Sequence, residues 1–134
     1  MPHGRTDDAW QSMMEAARSL MVHTARRQEL ITYSELNRQV AEDAGTVPFD
    51  FSQDAERNAL GTLLADVVKD DLLHSRFMLS SVAALAELER GPGSGFYALA
   101  EHLGHLEAGA SKERRYEFWA EQLKLTHDHY KRRI

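Results

Sequence analysis

The sequence predicts a mostly helical α+β protein, on three observations. Apolar residues recur with the spacing of amphipathic helices in several segments of the 134-residue chain. Segments with strand character are short, the clearest being Leu30-Ile31-Thr32. Hydrophobic residues make up 43% of the chain and charged residues 28%, with only eight glycines and three prolines. This composition favours one folded domain, residues 1–134, over a disordered chain.

The first predicted helix runs from Asp7 to about Arg27. Asp7 and Asp8 lie at its start and Arg26 and Arg27 at its end, which is the charge distribution that a helix dipole favours. Its apolar face comprises Trp10, Met13, Met14, Ala17, Met21 and Ala25. The i, i+3, i+4, i+7 spacing of this face predicts an amphipathic helix.

A second helix is predicted from a capping box, in which Thr32 bonds the amide of Glu35 and the Glu35 side chain reaches back to Thr32. This helix is expected to end near Ala44, with Gly45 as its stop. Ser52 or Asp54 then begins a third helix that runs to about Lys69. Its core stripe comprises Leu60, Leu63, Leu64 and Val67, and Gly61 is expected to permit close packing against it.

Part of residues 76–85 is predicted to be a strand, and residues 86–89 are either a second strand or a helix. Gly91-Pro92-Gly93-Ser94-Gly95 is predicted to be a turn, shaped by Gly93 and Gly95. A helix with Phe96, Leu99, Ala100 and Leu103 on one face follows and ends at Gly104. The core thus covers about residues 7–104.

A long final helix is predicted over about residues 111–133, with Ser111 as its cap. Its core-facing stripe is expected to comprise Tyr116, Trp119, Ala120, Leu123, His127 and Tyr130. Phe118 and Leu125 lie one heptad apart beside that stripe. If they are exposed, they indicate a partner-binding face.

A helix, a short strand, two helices and a strand pair is the element order of a winged helix, a helix-turn-helix variant. The segment Ile31-Thr32-Tyr33-Ser34-Glu35-Leu36 resembles the opening of the helix-turn-helix in the DNA-binding domain of alkylguanine DNA alkyltransferases. Arg57-Asn58-Ala59-Leu60-Gly61 falls where that family places its DNA-facing helix. The resemblance implies a winged-helix-like core, here with two additional C-terminal helices.

One departure from that family concerns its chemistry. Alkyl transfer in the family rests on a cysteine in a Pro-Cys-His-Arg motif, whereas this chain has Met78-Leu79-Ser80-Ser81 in roughly that place and no cysteine. A second resemblance spans roughly residues 30–104. Residues 79–82, followed by Pro92-Gly93-Ser94-Gly95-Phe96-Tyr97, are similar to a motif in small bacterial proteins of unknown function. Neither resemblance implies an activity for this chain.

Charge is unevenly distributed along the chain, whose net charge is −5. The candidate DNA-facing helix, residues 54–71, has two basic residues against five acidic ones, which is a poor surface to present to a duplex. Residues 111–134 instead have seven basic residues against four acidic ones. That excess indicates either a solvated helix face or a surface for phosphate or an acidic partner. Arg26, Arg27 and Arg38 add to it if they share its side of the fold.

These observations predict a non-catalytic regulatory protein of bacterial or phage type that binds nucleic acid. Arg57 is expected to reach a base edge from the start of the third helix. The residues expected to contact phosphate are Arg38, Lys112, Arg114, Arg115, Lys131, Arg132 and Arg133. The alternative is a protein-interaction module, such as an adaptor, immunity protein or homodimer, in which the acidic surface and basic final helix steer docking.

Catalysis, cofactors and metal are not expected. Ser80 and Ser81 lie in no nucleophile elbow, and the glycine turn lacks the lysine of a P-loop. His102 and His105 have metal-ligand spacing, but Gly104 is expected to turn them apart. His127 is expected to be a hydrogen-bonded core histidine. No apolar run approaches the roughly 18 residues of a membrane span, so no membrane partner and a cytoplasmic location are expected.

Overall fold

The computed structural model describes residues 2–72 and 77–131. This part of the chain forms five α-helices: α1 (Asp7–Arg26), α2 (Tyr33–Ala44), α3 (Asp54–Asp71), α4 (Ser94–His102) and α5 (Lys112–Tyr130). Two short strands, β1 (Ile31–Thr32) and β2 (Ala83–Ala84), form the sheet, and 3₁₀ helices cover Pro2–Gly4, Leu79–Val82 and Leu88–Arg90. The prediction of a mostly helical α+β fold is confirmed.

Helix α1 is the central element of the fold. Thr6 caps it, since the Thr6 hydroxyl accepts a hydrogen bond of 3.1 Å from the amide of Ala9. The predicted apolar face is buried apart from Met14, which is half-buried. This face packs against α2, α3, α5 and the 3₁₀ helix Leu79–Val82. The larger of the two hydrophobic clusters therefore forms around α1.

Helix α2 begins and ends where the sequence predicts. The Thr32 hydroxyl accepts a hydrogen bond of 3.2 Å from the amide of Glu35. The Glu35 carboxylate instead accepts from Arg38 and Gln39, and these bonds lower the pKa of Glu35 below its ordinary value. Gly45 ends the helix in the left-handed conformation, with φ of 68°.

The two strands pair in parallel, with Ile31 opposite Ala83 and Thr32 opposite Ala84. Of the strand predicted within residues 76–85, only β2 is found, after a 3₁₀ helix, and residue 76 lies outside the described residues. Residues 86–89 are neither a strand nor an α-helix; they lead into the 3₁₀ helix Leu88–Arg90. A parallel pair cannot be a hairpin, so β1 and β2 do not form the strand pair that the winged-helix prediction expects after the third helix.

The glycine turn before α4 depends on a different glycine from those predicted. Gly91 has a φ of 75°, whereas Gly93 is the N-cap of α4 with φ of −74° and Gly95 lies inside the helix. The amide of Gly93 donates a hydrogen bond of 2.9 Å to the hydroxyl of Tyr33. The turn thus joins the start of α4 to the start of α2.

The buried face of α5 differs from the predicted stripe. Its buried residues are Phe118, Trp119, Gln122 and Thr126. Tyr116 and Ala120, which were predicted to face the core, are exposed. Ser111 caps the helix as predicted, accepting a hydrogen bond of 3.1 Å from the amide of Arg114. The helix is therefore rotated relative to the orientation that its apolar residues alone predict.

Polar side chains on α5 bind the backbone that precedes β2. The Gln122 side chain accepts a hydrogen bond of 2.8 Å from the amide of Met78, and the Trp119 indole donates one of 2.8 Å to the carbonyl of Ser81. The hydroxyls of Ser81 and Thr126 lie 3.0 Å apart. Because buried backbone groups need partners, these contacts explain why α5 buries polar residues.

An N-terminal contact ties residues before α1 to the start of α3. The Arg5 guanidinium donates hydrogen bonds of 2.8 and 3.0 Å to the two carboxylate oxygens of Glu56. The same guanidinium lies over the ring of Phe49, 4.3 Å from its centroid. The hydrogen bonds from Arg5 lower the pKa of Glu56 below its ordinary value of 4.5.

This pair predicts a defined contribution to acid sensitivity. A carboxyl whose pKa is lowered by folding stabilises the folded state above its unfolded pKa, and that stability is lost as pH falls. We expect Glu56→Gln to reduce the loss of folding free energy between about pH 6 and about pH 3.5 by about 0.5–1 kcal/mol. Thermal unfolding across that range measures it. Glu117→Gln, which removes an exposed carboxylate from α5 beyond its first turn, is the control. An equal acid sensitivity in wild type and Glu56→Gln would contradict the prediction.

Candidate nucleic-acid interface

The connection between α2 and α3, residues 45–53, is held by one buried side chain. The Asn37 side chain donates a hydrogen bond of 2.9 Å to the carbonyl of Phe49 and accepts one of 3.0 Å from the amide of Phe49. The Phe49 ring is buried against Trp10 at an edge-to-face angle of 70°. These contacts fix where α3 begins relative to α2.

Three of the acidic residues on α3 turn toward α1 and the residues before it. Glu56 binds Arg5, Asp66 accepts a hydrogen bond of 3.0 Å from the Trp10 indole, and buried Asp71 binds Arg18 at 3.1 Å. The sequence analysis counted all five acidic residues of α3 as if they lay on one surface. In the structure, the charged residues on the exposed side of α3 are Asp54, Arg57, Lys69 and Asp70. This exposed side therefore has as many basic as acidic residues.

The rest of the exposed side of α3 consists of short side chains. Its members are Ala55, Asn58, Gly61 and Thr62. Together with the four charged residues, they form the surface that we call the α3 outer face. The expectation that Gly61 permits close packing within the fold is wrong. Gly61 is exposed, and a Cβ built on it meets nothing within 4 Å. Another molecule can therefore approach the α3 backbone closely at this point.

Arg57, predicted to reach a base edge, is bound within its own chain. Its guanidinium donates to the carbonyl of Phe51 and forms an ion pair with Asp54. Arg38, predicted to contact phosphate, forms ion pairs with Glu35 and Glu42 along α2. Either arginine has to leave these partners, or share them, to contact a phosphate.

The predicted basic residues of α5 are in different environments. Arg114 binds Glu107 at 2.8 Å, whereas Arg115 is 3.7 Å from the carboxylate of Glu101. Lys112 and Lys131 are exposed and form no ion pair with the described residues. Arg132 and Arg133 lie outside the described residues. The structure therefore distributes these cations along the helix instead of gathering them beside Arg57.

The sequence analysis missed the contact that joins the C-terminal ends of α1 and α5. The Gln28 amide donates hydrogen bonds of 2.7 Å to the carbonyl of Ala25 and 2.8 Å to the carbonyl of His127. Gln28 itself has a φ of 58°. The His127 ring lies 3.0 Å from the carbonyl of Glu29, so His127 is hydrogen-bonded as predicted, although it is half-buried.

Exposed cations surround this joined end. Arg26, at the end of α1, is exposed and forms no ion pair with the described residues, and Lys131 follows the end of α5. The ring of Tyr130 lies 4.7 Å from that of His129 and 5.9 Å from that of Phe77. Phe77 is buried, but cations beside the exposed His129 ring and the half-buried Tyr130 ring are suited to phosphates and bases. Arg26 thus lies on the side of the fold on which α5 ends, which meets for this residue the condition stated in the sequence analysis.

Other candidate sites find no support in the described part of the chain. No group of three or more residues that could hold a metal ion is found among residues 2–72 and 77–131, and both His102 and His105 are exposed. An open groove of about 430 Å³ lies between α2 and the connection to α3, with the Arg38–Glu42 pair along it. Among the described helices, none is long and apolar enough to cross a membrane.

Comparison of this chain with protein-family models, with curated proteins and with solved structures found no match.

Proposed function

We propose that this protein is a non-catalytic regulatory protein that binds nucleic acid through the α3 outer face. In this proposal α2 and α3 act as a helix-turn-helix-like pair within a winged-helix-like core. The observation that carries the proposal is the direction of the acids on α3. Arg5 and Arg18 neutralise Glu56 and Asp71, and Asp66 turns to the Trp10 indole, so the exposed charged residues of α3 are two acids and two bases.

The shape of the α3 outer face supports the same proposal. Gly61 and its neighbours Asn58 and Thr62 present no long side chain, so a nucleic-acid groove can approach the helix backbone. Asn58 also has an amide that can donate to and accept from a base edge. A glycine in an exposed helix interior costs about 1 kcal/mol relative to alanine. Among the described residues, no atom lies within 4 Å of a Cβ built on Gly61, so packing does not explain the glycine.

Substitution of Gly61 separates binding from folding. We expect Gly61→Leu to weaken oligonucleotide binding by about tenfold or more, because the side chain blocks the approach, while folding stability stays equal or rises by up to about 1 kcal/mol. Fluorescence anisotropy of labelled duplex and single-stranded DNA at low and moderate salt measures the binding, and thermal unfolding measures the stability.

The matched control is Ala120→Leu, which adds the same side chain to an exposed position of α5. We expect that control to bind as wild type does. Unchanged binding by Gly61→Leu would exclude the α3 outer face as the contact surface. Absence of any binding by the wild-type protein at low salt would overturn the proposed function itself.

The Asp54–Arg57 pair leads to a second prediction, in which a substitution strengthens DNA binding instead of weakening it. We expect Asp54→Asn to strengthen DNA binding by about 2–5-fold at low salt, because it removes an exposed acid and releases Arg57 for phosphate contact. The same anisotropy titration measures it. Glu117→Gln, which removes an exposed acid from α5, is the charge-matched control. Weaker binding by Asp54→Asn would show that Arg57 needs its partner in order to act.

A second candidate function is protein interaction, and the exposed apolar side chains on α5 favour it. Leu125 and Tyr116 are each 50% exposed, whereas Phe118, expected beside Leu125, is 2% exposed and belongs to the core. Three arginines predicted to contact nucleic acid, Arg57 at a base edge and Arg38 and Arg114 at phosphates, are already paired with carboxylates. Sedimentation velocity over a wide concentration range tests for a homodimer. Loss of self-association in Leu125→Glu would support this candidate.

A further inference from the structure

Arg115 has an unusual environment near the start of α5. Its guanidinium carbon lies 5.5 Å from the ring centroid of Tyr97, and its Nη2 atom is 3.7 Å from Glu101, too far for a hydrogen bond. The Nε atom is covered by protein and has no hydrogen-bond partner. The side chain is still 39% exposed, so solvent reaches the guanidinium from its other side.

Other arginines of the described chain are better satisfied. Seven of them have a carboxylate oxygen within 3.2 Å: Arg5, Arg18, Arg27, Arg38, Arg57, Arg90 and Arg114. Arg26 has no ion-pair partner among the described residues but is exposed to water. Arg115 combines a fixed position and partial burial with hydrogen-bond donors that the chain does not use. The buried Nε atom is out of reach of another molecule, whereas the Nη atoms lie toward solvent without a hydrogen-bond acceptor among the described residues, so a partner from outside the chain can bind them.

Tyr97 supplies a second unused donor beside Arg115. Its side chain belongs to the hydrophobic cluster formed with α4 and α5, yet its hydroxyl forms no hydrogen bond with the described residues. That hydroxyl is also not among the buried polar atoms that lack a partner, so water can reach it. Burial of the ring raises the pKa of Tyr97 above its ordinary value of 10.0, which keeps the hydroxyl protonated and able to donate.

We propose that Arg115 and Tyr97 form a binding site for a phosphate group on the surface between α4 and α5. A guanidinium whose two Nη atoms form no hydrogen bond with the described residues can bind two phosphate oxygens at once, and a phenol hydroxyl donates to a third. Glu101 is the carboxylate that competes with the anion for the guanidinium. At 3.7 Å its attraction is weak, so a doubly charged anion displaces it. This site is separate from the α3 outer face and does not depend on that proposal.

The first test is a titration of the ¹⁵N-labelled protein with inorganic phosphate, at constant ionic strength set with chloride and followed by backbone amide shifts. We expect saturable shifts in α4 and at the start of α5. Arg115→Gln should weaken binding by tenfold or more and Tyr97→Phe by severalfold. Glu101→Gln should strengthen it by about 3–5-fold, because it removes the competing charge.

The control is Arg90→Gln, which removes an exposed arginine paired with Glu87 and should leave phosphate binding unchanged. Circular dichroism and thermal unfolding confirm that each variant is folded. Shifts that do not saturate, or that persist in Arg115→Gln, would overturn the proposal. Equal binding by Glu101→Gln and wild type would also contradict it, since the competition between Glu101 and the anion is part of it.

A second titration distinguishes two sources of the phosphate group. If a short single-stranded oligonucleotide produces the same amide shifts and competes with inorganic phosphate, the group is a phosphodiester of nucleic acid. If inorganic phosphate binds and the oligonucleotide does not, the group belongs to a free phosphorylated molecule. Both results support the site. Gly61→Leu should leave the phosphate titration unchanged, so failure of the α3 proposal and failure of this one are seen in different experiments.

Discussion

Replacing Asn37 with leucine is expected to destabilise the protein by about 2–4 kcal/mol, although the two side chains are similar in size. The Asn37 side chain forms both the donor and the acceptor contact to the backbone of Phe49, at 2.9 and 3.0 Å, in a buried position. The substitution leaves the amide and the carbonyl of Phe49 without partners in the core. Each such buried group costs about 1–3 kcal/mol.

Chemical denaturation measures the free energy of unfolding for this comparison. Asn58→Leu, on the α3 outer face, introduces the same side chain at an exposed position and should change stability by less than about 0.5 kcal/mol. Asn37→Asp retains an acceptor for the Phe49 amide but not a donor for the Phe49 carbonyl. We therefore expect it to lower the free energy of unfolding by as much as Asn37→Leu does, or by part of that amount. A loss below about 1 kcal/mol in Asn37→Leu would mean that the connection between α2 and α3 tolerates release of Phe49.

Gly91→Ala is expected to destabilise the protein by about 2–4 kcal/mol, for two separate reasons. Gly91 has φ of 75° and ψ of −157°, a conformation that residues with a Cβ adopt only at a cost of about 1–3 kcal/mol. A Cβ on Gly91 would also lie 3.0 Å from the ring of Trp119. Because that ring is buried and its indole donates to the carbonyl of Ser81, it has little freedom to move.

Two other glycines separate those two reasons. Gly104 has φ of 78° with nothing near a built Cβ, so Gly104→Ala reports the backbone cost alone, about 1 kcal/mol. Gly93 has an ordinary φ and a nearest contact of 3.8 Å, so Gly93→Ala has neither cost and loses only the glycine at the N-cap of α4, about 0.5–1 kcal/mol. Denaturation of the three variants measures the difference. If Gly91→Ala loses no more stability than Gly104→Ala, the contact with Trp119 is not a significant constraint.

Features specified by residues close in the chain were predictable. The cap at Thr32, the stop at Gly45 and the cap at Ser111 each depend on residues three or four positions apart, and all three are confirmed. The buried face of α1 was predictable for the same reason, since its apolar residues follow the helical period.

Features that depend on distant partners were not predictable from the sequence. The polar residues Gln122 and Thr126 are buried because the backbone at Met78 and the hydroxyl of Ser81, more than 40 positions away, need partners. Similarly, the acids of α3 appeared to weaken a DNA-binding face because nothing local indicates that Arg5 and Arg18 neutralise two of them. The charge of a helix face therefore has to be counted after its tertiary contacts are known.

The hydrogen bond from the Gln28 side chain to the carbonyl of His127 has a consequence for how the chain unfolds. Gln28 and His127 are 99 positions apart in a chain of 134 residues, so their contact closes a loop of about three quarters of the chain. Contacts of such long separation form late and make folding slow for a helical protein. We expect the last amides of α1 and α5 to exchange hydrogen at similar rates, near the rate set by global unfolding, instead of fraying separately. The first and last helices would then be lost in a single cooperative step.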